Sequence, residues 1–197
     1  LNRLILLIAV AVLGCSDAPG QNTLPIDDPV TTRRFINTIL GADELADLRR
    51  NREKITSLQI SRCPLYESVL ETISELNSLE SLNLARTEVS DDDLKRFTNL
   101  TRVKAVCLNF TPVSDNGLPT ICQFPNVTEL ALHGTRISDA GLKFLSTQTQ
   151  IKKLYVGGND ITDAGVAYLA DNPNLEWLAI NHNRSITNDS VASIASL

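Results

Sequence analysis

The chain has 197 residues, with 18 Lys and Arg against 23 Asp and Glu, a formal net charge of -5, two His, four Cys, one Trp and 43% hydrophobic residues. That hydrophobic fraction excludes a disordered chain, and the acidic balance excludes a nucleic-acid binder that works through a clustered basic surface. Four Cys are too sparse for a disulfide scaffold, and two His leave little material for metal-centred or His-based catalysis.

The chain contains no Met and begins at Leu1, which fits an unusual start codon or a few lost residues. Arg3 supplies one positive charge, residues 4–13 are unbroken apolar sequence, and Gly14 and Cys15 end the run. A bilayer core needs about 20 apolar residues in helix, so residues 1–14 are predicted to be an export signal rather than an anchor. Val12-Leu13-Gly14-Cys15 resembles the lipobox of bacterial lipoproteins. The resemblance implies cleavage before Cys15, lipidation of its thiol and anchoring in the bacterial cell envelope. Because Ser16 rather than Asp follows the Cys, it also implies the outer membrane. The alternative is an ordinary secretory signal with an incidental Cys.

Residues 15–27 are polar and broken by Pro19, Gly20 and Pro25, and are predicted to be a tether. A helical N-terminal cap is predicted over residues 28–54. Its first helix starts at Asp28-Pro29, carries Phe35, Ile36, Ile39 and Leu40 on one face and stops at Gly41. Its second runs from Asp43 through Leu45 and Leu48 into Arg49, Arg50, Arg52 and Lys54, a basic stretch read as a solvated helix end.

From Ile55 the chain repeats. Ile55, Leu79, Val103, Val127, Ile151 and Leu175 stand 24 residues apart. Three residues later come Leu58, Leu82, Val106, Leu130, Leu154 and Leu178, and two beyond those Ile60, Leu84, Leu108, Leu132, Val156 and Ile180. The two-residue step predicts a short strand in each row with its aliphatic side turned inward. Pairs spaced by three, such as Leu142 and Leu145 or Val166 and Leu169, predict one helical turn per row. A strand and a helical turn every 24 residues make a solenoid coil.

The row Leu79-x-x-Leu82-x-Leu84-x-x-Thr87-x-Val89-Ser90-Asp91-x-x-Leu94 resembles the leucine-rich repeats, and the resemblance covers residues 55–197. It implies an α/β leucine-rich-repeat solenoid of six coils, starting at residues 55, 79, 103, 127, 151 and 175, with a parallel concave sheet and short convex helices. Rows four and five, with Ser138-Asp139-Ala140-Gly141-Leu142 and Thr162-Asp163-Ala164-Gly165-Val166, are similar to the short bacterial type. The ninth-position residues Cys63, Thr87, Thr111, Thr135 and Asn159 are expected to bridge backbone amides between coils.

Asp91, Asp115, Asp139 and Asp163 stack on successive coils roughly 5 Å apart, which suggests either a calcium ladder or helix N-caps. Their place after Ser or Thr favours caps. His133 and His182 are expected roughly 10 Å apart, too far to share a zinc ion. Neither a metal nor a cofactor is expected, and no nucleophile, base and orienting group can be assembled for an enzyme. Cys107 is expected on the exposed strand face, with no disulfide within the chain. The strands' outward side carries small polar residues in rows one and two. Further along stand Glu129, His133, Lys153, Tyr155, Trp177, Asn181 and His182, the chemistry of an interface anchor. These residues are the predicted site for a protein or peptide partner. Self-association through an open C-terminal edge is the alternative.

Overall fold

The structure is a computed structural model that describes residues 31–170 and 172–190. The predicted export signal, Cys15, the tether and the Asp28-Pro29 helix start lie outside the described residues.

Seven parallel strands form one sheet in chain order. They are β1 (Thr32–Ile36), β2 (Ser57–Ser61), β3 (Ser81–Asn83), β4 (Ala105–Cys107), β5 (Glu129–Ala131), β6 (Lys153–Tyr155) and β7 (Trp177–Ala179). The register runs Ser57, Ser81, Ala105, Glu129, Lys153, Trp177 across six strands without a slip. On the other side stand α1 (Ala42–Arg50), α2 (Glu67–Ser74), α3 (Asp91–Leu94), α4 (Leu118–Ile121), α5 (Asp139–Ser146) and α6 (Asp163–Leu169). Between the layers the three aliphatic columns are almost wholly buried, together with Phe97 and Phe124, which are fully buried beneath the short helices. Each such Leu contributes about 1.5–3 kcal/mol by leaving water.

The sheet has one strand more than the six predicted rows. Phe35 and Ile36 belong to β1, not to a helix, and β1 pairs in parallel with β2 along its whole length. The helical spacing of Phe35, Ile36, Ile39 and Leu40 is overridden because a strand at this place satisfies the open edge of β2, and long-range pairing outweighs local propensity. In register, Arg33 and Phe35 take the places of Leu58 and Ile60. Arg33 ends the core with charge, its Nε 3.1 Å from Asp47 Oδ2 on α1. Leu40 is buried, whereas Ile36 and Ile39 stay exposed.

All seven strands end in the same left-handed backbone step. Asn37, Arg62, Arg86, Phe110, Gly134, Gly158 and His182 have φ between +53° and +64°. This turn sends the chain from the sheet toward the convex side in every coil.

The ninth position behaves according to how many groups each side chain offers. Thr87, Thr111 and Thr135 donate to the carbonyls of Leu84, Leu108 and Leu132 in their own coils, at 2.6, 2.7 and 2.8 Å. The bridging expected of them is made by Asn159, which accepts from Thr135 N at 3.0 Å and donates to Leu132 O at 2.8 Å. Asn183 repeats the bridge to Asn159 N at 2.7 Å. A carboxamide both donates and accepts, so it spans a coil boundary; the Thr135 hydroxyl also meets Asn159 Oδ1 at 3.0 Å, and Cys63 Sγ reaches back to Phe35 O at 3.5 Å.

The aspartate column also departs from expectation. The N-caps are the residues before it: Ser90, Ser114, Ser138 and Thr162 accept from N–H groups two or three positions on. Each Asp instead reaches forward one coil. Asp91 accepts from Ser114 N at 2.9 Å and Ser114 Oγ at 2.6 Å, and Asp139 from Thr162 N at 2.9 Å and Oγ1 at 2.7 Å. Asp115 holds Ser138, and Asp163 holds Thr187, in the same two-bond pattern. The column is an inter-coil staple, with the carboxylate oxygens occupied by protein donors rather than left for calcium.

Candidate functional site

The outward residues of β5 to β7 come together in register. Glu129, Lys153 and Trp177 occupy adjacent strands, and Lys153 Nζ lies 3.3 Å from Glu129 Oε2. Tyr155 stands on the next outward position of β6, and burial together with the negative charge of Glu129 raises its phenol above the ordinary value. Trp177 is half-buried, and its indole Nε1 is shielded with no hydrogen-bond partner. On the same side of the earlier strands, Ser57 Oγ, Ser81 Oγ and Asn83 Nδ2 are likewise without partners. Shielded donors of this kind cost about 1–3 kcal/mol each unless something pairs with them.

Cys107 is not exposed as expected: it lies between Asn83 and Ala131 in register and is 7% accessible. Strands about 4.8 Å apart leave little room around a short side chain on the inside of a curved sheet. Burial raises its thiol to about 11. Cys63, Cys107 and Cys122 are all free thiols.

The two histidines are closer than two coil spacings allow. Their ring centroids are 6.0 Å apart, edge to face. The reason is the glycine pair in the row between them: a Cβ on Gly157 would meet His133 Nδ1 at 2.7 Å, and one on Gly158 would meet His133 Cε1 at 3.2 Å. The imidazole of His133 therefore leans across the space those side chains would fill. Asn181 Oδ1 borders the same notch, 2.9 Å from the Gly157 Cβ position.

On its other side His133 meets Phe110, edge to face at 4.9 Å, and the guanidinium of Arg86 lies 4.2 Å over the Phe110 ring. Burial, then the charges of His182 and Arg86, hold His133 below the ordinary imidazole value. Thus the predicted residues fall into two neighbouring groups, Glu129, Lys153, Tyr155 and Trp177 on the strands, and His133, Asn181 and His182 at their ends. Arg86 and Phe110 were not singled out by sequence. The available signal was the glycine notch at Gly134, Gly157 and Gly158, which marks where neighbouring coils must lay their side chains.

Among the described residues no group of three or more His, Cys, Asp or Glu is placed to hold a metal ion, and no helix is long and apolar enough to cross a membrane.

The pattern described as Leucine Rich repeat matches residues 148–170. An internalin from Listeria monocytogenes superposes over 85% of this chain with a TM-score of 0.61 at 18% identity. The fold is a leucine-rich-repeat solenoid. Internalin C2 from the same organism shares it, over 72% of this chain, with a TM-score of 0.52 at 20% identity. The leucine-rich-repeat chain described here spans 46% and 58% of those two structures. No curated protein matches it by sequence.

Proposed function

We propose that this leucine-rich-repeat chain is a non-enzymatic protein-binding module of the bacterial cell envelope, presenting the outward face of β5 to β7 to a protein or peptide. The observation that carries the reading is Trp177, a half-buried aromatic that stands in register beside the Lys153–Glu129 pair and next to Tyr155. The half-buried ring leaves aromatic surface that supplies contact area at low entropic cost. Export and a lipid on Cys15 are supported by the apolar run at residues 4–13 and the Val-Leu-Gly-Cys motif, and the outer membrane as destination by Ser16 after the Cys. No nucleic acid or cofactor enters this reading.

Photo-crosslinking in the native envelope tests it, with the crosslinking residue at Trp177 or Tyr155 and, as control, at Tyr168 on the convex helix α6. A discrete adduct from the first two and none from Tyr168 is expected. Equal adducts from both faces overturn the reading. Replacing Cys15 with Ser is expected to move the protein out of the membrane fraction; retention there would remove the lipid anchor.

A second reading, self-association, is favoured by the outer edge of β7, which pairs with no other strand among the described residues. Sedimentation as a monomer at high concentration would dispose of it.

A further inference from the structure

The ends of the strands differ in charge from the rest of the molecule. At the last two positions before each ninth residue stand Ser61-Arg62, Ala85-Arg86, Asn109-Phe110, His133-Gly134, Gly157-Gly158 and Asn181-His182, without one carboxylate. This occurs in a chain whose acids outnumber its bases. Arg49, Lys95, Arg96, Lys104, Lys152 and Lys153 each lie within 4.0 Å of a carboxylate, whereas Arg50, Arg52, Lys54, Arg102, Arg136, Lys143 and Arg184 have no ion pair among the described residues. Arg62 and Arg86 are exposed and have no ion pair among the described residues.

We propose that Arg62, Arg86, Phe110, His133 and His182 form a docking ridge for an acidic polypeptide segment. The inference rests on the protein-binding reading and names the chemistry of the partner.

Three features beyond charge point the same way. First, Arg62, Arg86, Phe110 and His182 carry side chains at φ of +54°, +59°, +57° and +64°. The same step follows every strand, Asn37, Gly134 and Gly158 included, so the fold itself places these side chains in one row. Second, the ridge is organised before binding. Arg86 rests on Phe110, Phe110 on His133 and His133 on His182, so a guanidinium already held on a ring loses less freedom when its outer N–H edge takes a carboxylate. Third, the surface is mixed, with Phe110 43% exposed among the cations. That suits an acidic peptide carrying an apolar side chain better than a bare polyanion.

The ridge also responds to acid. The charged groups acting on His133 are His182 and Arg86. His133 is therefore neutral near pH 7 and gains its charge only below the ordinary imidazole range, at which point it adds to the attraction.

The test uses fluorescence anisotropy of the full chain with a rhodamine-labelled peptide of Glu and Leu, and with its Lys and Leu counterpart. Binding of the acidic peptide alone is expected, tightening as pH falls below the ordinary imidazole range. Arg62→Gln with Arg86→Gln is expected to weaken it about tenfold or more, in a protein whose melting temperature is otherwise kept. His133→Asn is expected to keep the binding and reduce its pH dependence, and His133→Asn with His182→Asn to lose it. Equal affinity for both peptides, an unaffected double variant, or preference for anionic vesicles or RNA over the peptide would overturn the proposal. Crosslinkers at Phe110 and Trp177 separate the two readings. An adduct at Trp177 that is absent from Phe110 sinks the ridge and leaves the strand-face reading standing, and no adduct at either position sinks both.

Discussion

Gly165 lies directly against the carboxylate of Asp139 one coil earlier, so close that a Cβ on the glycine would run into Oδ1. The same relation links Gly141 to Asp115, and Gly117 to Asp91 at 2.5 Å. This explains the recurring Ser/Thr-Asp-x-Gly segment as one device. The hydroxyl residue caps its helix, its Asp reaches forward to the next cap, and the Gly leaves the passage through which the previous carboxylate arrives.

Gly165→Ala should therefore cost about 1–3 kcal/mol by overpacking a position that cannot yield without breaking the Asp139–Thr162 pair. The neighbour that would be struck is a carboxylate fixed by two donors, at 2.9 and 2.7 Å. Urea unfolding of the variant against the parent reads the change, and an unmoved midpoint would show that the staple has slack.

Acid should loosen the last coil through Asp163. The hydroxyl and then the N–H of Thr187, and after them Ser190, hold its carboxyl below the ordinary value. Because the folded value is depressed, the stabilisation is fully present above the unfolded value and is lost as pH falls through the folded one, below about pH 4. Protection of Thr187 N against hydrogen exchange, relative to its intrinsic rate at each pH, should fall in that range. Asp163→Asn should flatten the dependence, and an unchanged profile in that variant would assign the acid sensitivity to another group.

Thiol chemistry should be slow at two of the three described cysteines. Burial raises Cys107 to about 11 and Cys122 to about 12. At pH 8 the thiolate fractions are then about one in a thousand and one in ten thousand, and the thiolate is the reacting form. Mass-spectrometric timing of iodoacetamide labelling at pH 8 should find both far slower than a free cysteine. Labelling of Cys107 as fast as free thiol would mean that the strand face opens readily.

The repeat was legible because its signal is one of composition at fixed spacing: Leu130, Leu154 and Leu178 must all be apolar if they share one buried column. Strand β1 was not, since Arg33 and Phe35 fill repeat positions with residues outside the consensus and take their conformation from β2. Asp139 was legible as belonging to a column but not in its role, because a carboxylate after Ser or Thr can serve its own helix or the next coil. The His133–His182 approach was hidden for a geometric reason. Coil spacing measures backbone separation, whereas the glycine notch lets one side chain cross it. Of the strand-face residues, Glu129, Lys153 and Trp177 could be grouped from the 24-residue period alone, but the unpaired indole could not.

Comparing Gly134→Ala with Gly158→Ala isolates what Phe110 contributes to the ridge. Both glycines have nearly the same backbone, φ +63° and +64°, so the left-handed penalty of about 1–2 kcal/mol is common to the two. They differ in what a new methyl would strike. At Gly134 it would meet the Phe110 ring at 2.7 Å, while at Gly158 the nearest atom is His133 Cε1 at 3.2 Å. Gly134→Ala should therefore displace Phe110 from both Arg86 and His133, whereas Gly158→Ala should shift the imidazole by a few tenths of an ångström. Thermal melts should show two destabilised proteins, with Gly134→Ala the lower. An NMR titration should show the separation more sharply: expelling the ring in Gly134→Ala lets water reach the imidazole and raises the His133 value toward that of a free histidine. If both variants melt together and leave His133 unmoved, Phe110 is a passive neighbour and the ridge is not organised in advance of binding.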